Sequence, residues 1–168
     1  MSVAAVPLCE RLMSARHERR PLCTKEQPGP ILGGVTDDCI FCRIVSGDSP
    51  AFVVAEDALT VAFLDRGQAT TGHTLVVPRS HSGDIWAITD DDVAAVVRMA
   101  KRVAHLLDER LSPDGLNLTQ SNRAAGWQDV FHIHMHVIPR WSGDGLTPPW
   151  RPTRASEEQL ASVWRRLQ

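Results

Sequence analysis

The stretch Phe131-His132-Ile133-His134-Met135-His136-Val137-Ile138-Pro139 sets histidines at alternate positions with apolar residues between them. Side chains alternate across a strand. Read as a strand, the segment carries His132, His134 and His136 on one face and Phe131, Ile133, Met135 and Val137 on the other. The imidazoles then stand roughly 6.5 to 7 Å apart along one line. A helix would turn successive histidines by about 200° and give them no common face. The spacing therefore predicts a strand over 130–139, anchored by its apolar face and presenting imidazoles on the other.

The surrounding pattern supplies the rest of a sheet. Alternating or continuous apolar runs bounded by turn residues predict strands over 51–55, 59–64, 73–78 and 116–120. Pro78 closes its strand, where a missing N–H costs least. One long helix is predicted over 89–111. Thr89 is its N-cap, Asp90, Asp91 and Asp92 complement its dipole, and Pro113-Asp114-Gly115 stops it. Its apolar stripe reads Val93, Val96, Val97, Ala100, Val103, Ala104, Leu107 and Leu111. A second amphipathic helix, over 156–167, is capped by Ser156 with Glu157 and Glu158 in its first turn. A turn of helix closed by Gly47 follows Cys39-Ile40-Phe41-Cys42. Strands come in runs around one helix, without βαβα alternation. That predicts an α+β domain built on a mainly antiparallel five-stranded sheet, with one long central helix and a C-terminal helix.

Composition narrows the class. The 168 residues are 43% hydrophobic and 23% charged, enough for one domain with a real core. A formal net charge of -2 gives no basic field for nucleic acid. An anionic small molecule has to be held by a local site. No apolar run approaches a membrane span. Val3-Ala4-Ala5-Val6 before Pro7 is too short for a signal-peptide core, which points to a cytoplasmic protein. Residues 1–34 read as an N-terminal extension that is poorly ordered or docks on a neighbouring chain. Residues 35–141 read as the folded domain and 142–168 as a tail and helix.

Two groups carry candidate chemistry. Three in-line imidazoles suit a metal site or nucleophilic catalysis with a middle imidazole oriented by its neighbours, and spacing does not separate the two. Cys39 and Cys42 read as two thiolates of a tetrahedral metal site, as a redox pair, or as two buried small hydrophobes. His73 reads as a satisfied structural histidine, and His105 as packing or surface.

These residues together resemble the histidine triad (HIT) superfamily of nucleotide hydrolases and transferases. The resemblance runs from about residue 39 to residue 141. It rests on His132-Ile133-His134-Met135-His136-Val137-Ile138, Cys39-Ile40-Phe41-Cys42, Ala62-Phe63-Leu64-Asp65, Gly72-His73-Thr74-Leu75-Val76-Val77-Pro78 and Gln128-Asp129-Val130. It implies that His134 attacks the α-phosphorus of a nucleotide and that a covalent nucleotidyl-histidine is then hydrolysed. It implies that His136 contacts the phosphate and aids the departing group. The transferase branch carries glutamine at this third position, so His136 favours hydrolysis. Asp65 matches the ribose-binding carboxylate. Asn117, Asn122 and Gln128 match polar positions near ribose and phosphates. In zinc-containing members the ligands match Cys39, Cys42, His81 and His132, which makes the zinc structural. Homodimers are the family's usual state, and the apolar helix face and Trp-rich tail suit one here.

Two departures bear on the substrate. The position before Gln128 is usually glycine and here is Trp127, an indole able to cover the phosphate pocket or stack on a substrate. The loop after Asp65 usually carries a proline and here reads Arg66-Gly67-Gln68, with Arg66 as an extra polyphosphate contact. The alternatives are a nucleotidyltransferase or phosphorylase using the same intermediate, a metalloenzyme with catalytic zinc on the triad, and a non-catalytic nucleotide-binding regulatory protein.

Overall fold

The structure is a computed structural model that describes residues 38–168. The expected extension over 1–34, with Cys9, His17 and Cys23, lies outside the described residues. Five strands form one antiparallel sheet in the order β1-β2-β3-β5-β4. They are β1 Val53–Glu56, β2 Thr60–Leu64, β3 Thr74–Pro78, β4 Gly115–Thr119 and β5 Met135–Arg140. Among the described residues three α-helices accompany them, α1 Ile40–Ser46, α2 Asp90–Leu111 and α3 Glu157–Leu167, with one 3-10 turn at Ala124–Gly126. The predicted α+β class and five-stranded antiparallel sheet are as observed.

Period-2 alternation divides the sheet into two faces. Ala62, Val76 and Val137 point to α2 and bury Val96, Met99, Ala100, Val103 and Leu107 with them. Phe63, Leu75, Val61 and Val77 point the other way and pack on Phe41 of α1. Met99 and Val103 are wholly buried, and full burial of such a side chain is worth about 1.5–3 kcal/mol. Thr89 caps α2 as predicted, its side chain accepting from Asp92 N–H. The stripe sits slightly differently from the expectation. Ala95 and Met99 belong to the buried face, while Val97 is 48% and Leu111 37% exposed. The centre of contact runs through 96, 99, 100, 103 and 107. Val97 lies one helical step of about 100° off that line. Leu111 does meet the loop before β3. Gly72 takes φ +85, and a Cβ there would stand 2.5 Å from Leu111 Cδ1, so this turn requires glycine.

The histidine strand is shorter than predicted. β5 begins at Met135, and its pairing with β3 ends at Val76↔Met135. Only His136 of the three histidines lies within the ladder. Pro78 explains the stop. It has no N–H to give, and its carbonyl accepts from the His132 ring at 3.0 Å. Ile133 N–H turns instead to Ser82 O at 2.7 Å. The tail folds back through Arg140, which donates to Asp144 at 2.6 and 2.8 Å. α3 has the capping box Ser156/Gln159, and none of its residues is buried. No helix among the described residues is long and apolar enough to cross a membrane.

Candidate active site

The candidate residues gather on the face opposite α2. Leu75 pairs with His136 across β3 and β5, which sets His136 on the α1 side of the sheet. His134 precedes β5 and is 2% exposed. Its Nδ1–H donates to His132 O at 2.8 Å, so the lone pair is on Nε2. The ring is held edge-on by Phe41 at 5.1 Å and by His136 at 4.9 Å between centroids. Asp129 Oδ1 lies 3.9 Å from His134 Nε2.

His136 has a partner that the sequence reading set aside. His73 Nε2 and His136 Nδ1 are 2.9 Å apart and share one proton in a hydrogen bond. His73 Nδ1 lies 3.4 Å from Asp65 Oδ2. The result is an Asp65–His73–His136 chain. Gln68 staples the loop that holds it. Its amide donates to the carbonyls of Asp65 and His73 at 2.5 and 2.8 Å and accepts from Gly72 and His73 N–H at 2.9 and 3.1 Å. That explains how the loop dispenses with the expected proline. Arg66 bonds Pro50 O at 3.3 Å.

Burial, reinforced by the neighbouring His134 and His73 rings, holds His136 down at about 4. Burial also lowers His73, against the pull of Asp65. The unfolded chain protonates His136 near 6.5, the folded chain only near 4. Between those values the unfolded state binds more protons. Stability present above 6.5 is therefore lost as the pH falls toward 4. The urea midpoint is expected to drop between about pH 7 and about pH 4.5, and to drop less in His136→Gln.

A second cluster joins Cys39, Cys42, His81 and His132, whose donor atoms all lie within 4.8 Å of one another. Cys42 Sγ is 3.2 Å from His81 Nδ1 and 3.5 Å from His132 Nδ1, and Cys39 Sγ is 3.6 Å from His132 Nδ1. The S···N edge of a tetrahedral zinc site is about 3.5 Å, from Zn–S of about 2.3 Å and Zn–N of about 2.0–2.1 Å. His132 Nε2–H is spent on Pro78 O, which leaves Nδ1 as the ligating atom. The four donors therefore fit a closed tetrahedral metal. Asp65, His73 and His136 also lie within ligand reach of one another, but the direct His73–His136 hydrogen bond uses the atoms a metal would need. His134 belongs to neither donor set.

The polar amides are largely committed. Gln128 is buried, donates to Gly83 O and Val130 O, and accepts from Arg123 N–H at 2.7 Å. Asn122 accepts from Ile85 N–H at 2.8 Å and exchanges bonds with Gln120. Asn117, on β4, accepts from Arg140 at 2.6 Å. Gln128 and Asn122 thus shape the loop before the triad. That loop is strained. Arg123 has φ 60 and Trp127 φ 68, conformations that cost on the order of 1–3 kcal/mol outside glycine. Trp127 thus holds a glycine-type backbone with an indole, 62% exposed and stacked on Trp150. On the α1 side a cleft of about 170 Å³ is lined by Ile40, Phe41, Phe63, Leu75 and, at its rim, Asp65. The sequence reading missed this apolar wall, although Phe41 and Phe63 lie inside motifs it used.

The HIT domain model matches residues 46–143. The chain belongs to the HIT domain family. Protein hit of Bacillus subtilis is 40% identical to this HIT protein over 116 residues, covering 68% of the chain and 80% of the relative. A Schizosaccharomyces pombe protein named adenosine 5'-monophosphoramidase hnt1 is 34% identical over 126 residues, covering 74% of the chain and 92% of the relative. A zinc-bound histidine triad family protein from Mycobacterium smegmatis superposes with a TM-score of 0.64 at 38% identity. That match covers 75% of this HIT chain and 97% of the other.

Proposed function

We propose that this HIT protein is a nucleotide hydrolase that cleaves at the α-phosphate of a nucleoside phosphoramidate or polyphosphate through a covalent nucleotidyl-His134. One observation carries the reading. His134 donates its Nδ1–H to a backbone carbonyl and is left with a nucleophilic Nε2. The fission-yeast relative's name supports phosphoramidates among the candidates. In the first step Nε2 bonds to phosphorus, and the bond to the leaving group breaks with its electron pair. His136, backed by His73 and Asp65, hydrogen-bonds the phosphoryl oxygens and assists the proton that the leaving group gains. In the second step water attacks phosphorus, the P–N bond breaks, and nucleoside monophosphate departs. The apolar cleft beside Phe41 and Phe63 takes the nucleoside, with Asp65 accepting from ribose hydroxyls. Asn117 and Trp127 border the leaving-group side, and Asn122 and Gln128 hold the loop beneath the phosphate.

Cys39, Cys42, His81 and His132 would hold a structural zinc, which supplies cross-linking of α1 to the triad segment. Thiolate ligands suit a cytoplasmic, reducing setting. A homodimer is consistent with the exposed β4 edge and α3.

Intact mass spectrometry tests the reading. After rapid mixing with a nucleoside 5'-phosphoramidate and, separately, a dinucleoside polyphosphate, the protein should gain one nucleotidyl group. The gain should be absent in His134→Asn. Full turnover by His134→Asn overturns the proposal. Added inorganic phosphate should leave nucleoside monophosphate as the product. Formation of nucleoside diphosphate would point to the transferase.

A further inference from the structure

The apolar cleft on the α1 side is walled by Ile40, Phe41, Phe63 and Leu75, which pack against any base without choosing among them. Among the described residues that line it, the cation is Arg66. Arg66 donates one N–H to Pro50 O at 3.3 Å, and Pro50 and its neighbour Ser49 line the cleft with it. The other N–H groups of Arg66 have no partner among the described residues, and no carboxylate there lies within ion-pair distance of it. None of the triad histidines lines this cleft. The sequence suggests Arg66 as a polyphosphate contact, but its place is in the wall of the nucleoside cleft.

The backbone on both sides of this contact is fixed. Ser49 N–H donates to Arg43 O at 2.9 Å, and Leu64 N–H donates to Phe52 O at 3.0 Å, which pins the segment carrying Pro50. Asp65 N–H donates to His73 O at 2.9 Å, and Gly67 N–H to Asp65 Oδ1 at 2.8 Å, which pins the backbone around Arg66. A long side chain already tethered between two pinned segments loses less rotamer freedom when a ligand arrives.

We propose that Arg66 reads the nucleobase and selects a 6-oxopurine, guanine or hypoxanthine, over adenine. The inference rests on the hydrolase reading above, which seats the nucleoside in this cleft, and names its base. A guanidinium only donates. The O6 and N7 atoms of a 6-oxopurine are adjacent acceptors, and they match its fork bidentately. Adenine turns its exocyclic amine, a donor, to the same edge, so one arm of the fork meets N–H and is left to water. The Pro50 carbonyl adds to the choice. It keeps a second lone pair beside the fork and accepts the N1–H that a 6-oxopurine carries. Adenine offers a bare acceptor at that position, and two acceptors face each other.

The test uses the unsubstituted 5'-phosphoramidates of guanosine, inosine and adenosine. The kcat/KM ratio should favour guanosine over adenosine by about tenfold or more, with inosine close to guanosine. Arg66 is exposed, so its variants should fold. Arg66→Leu should bring the guanosine-to-adenosine ratio toward one. Arg66→Lys, which keeps the charge and loses the fork, should retain only part of it. Equilibrium binding of guanosine and adenosine 5'-monophosphates should show the same preference without turnover. A wild-type ratio near one, or a ratio that Arg66→Leu leaves unmoved, overturns the base assignment. Equal losses on both bases in Arg66→Leu would make Arg66 a phosphate contact and overturn it as well. If no phosphoramidate yields a nucleotidyl adduct while the monophosphates still bind with the guanosine preference, the hydrolase reading alone has failed. If both yield the adduct with equal kcat/KM, only the base assignment has failed.

Discussion

Asparagine in place of His134 is expected to lower turnover by on the order of 10⁴-fold or more, as loss of a covalent nucleophile does elsewhere, with the fold retained. The side-chain amide can still donate to His132 O, the bond that orients the imidazole. What it lacks is the Nε2 lone pair. No neighbour substitutes. His132 directs Nδ1 at the thiols and Nε2 at Pro78 O, and His136 is tied to His73. His136→Asn should behave differently. It removes assistance to the leaving group and leaves the nucleophile, so a slow adduct should still form with a loss of roughly 10²–10⁴-fold. Steady-state rates with adduct mass separate the two variants. Equal losses accompanied by adduct in both would reassign the nucleophile.

Metal removal is the second large effect. Chelating protein prepared with zinc should lower Tm by about 10 °C or more, because metal bound only by the folded state contributes its binding free energy to folding. The donors come from the start of α1, the loop after β3 and the lead into β5, three segments with no shared ladder at that point. Cys42→Ser should show the lowered Tm before any chelator is added and change little afterwards. Activity should decay only as the fold loosens, since His134 is not among the four donors. Immediate loss of activity at an unchanged Tm would support a catalytic metal.

The sheet and α2 were legible because their signals are local: alternation, a threonine cap with acidic first turn, and Pro and Gly stops. The four metal-type donors were legible through a resemblance, since spacing alone left metal, redox and packing open for Cys39 and Cys42. The start of β5 was not legible. Alternation continues back to Phe131, and what ends the ladder is a partner strand finishing in proline 54 residues earlier in the chain. His73 was underrated for the same reason. Its role comes from a bond to a ring 63 residues away, and no periodicity encodes a cross-strand partner. Gln68 lies in the loop where relatives usually carry a proline, and its four hydrogen bonds exist only once that loop is folded. The Trp127–Trp150 pair depends on the return path of an irregular tail.

The Cys39–His132 contact has a bearing on how the molecule is made. Its two ends are separated by 93 positions. During synthesis at about 5–20 residues per second, roughly 5–20 seconds pass between addition of the first thiol and addition of the last imidazole. The β5 segment that follows is central in the sheet, so neither β3 nor β4 has its inner neighbour until then. Throughout that interval the nascent chain carries a thiol pair without its distal imidazole and a half-built sheet with an open edge. Both hazards end together, with the emergence of the histidine segment.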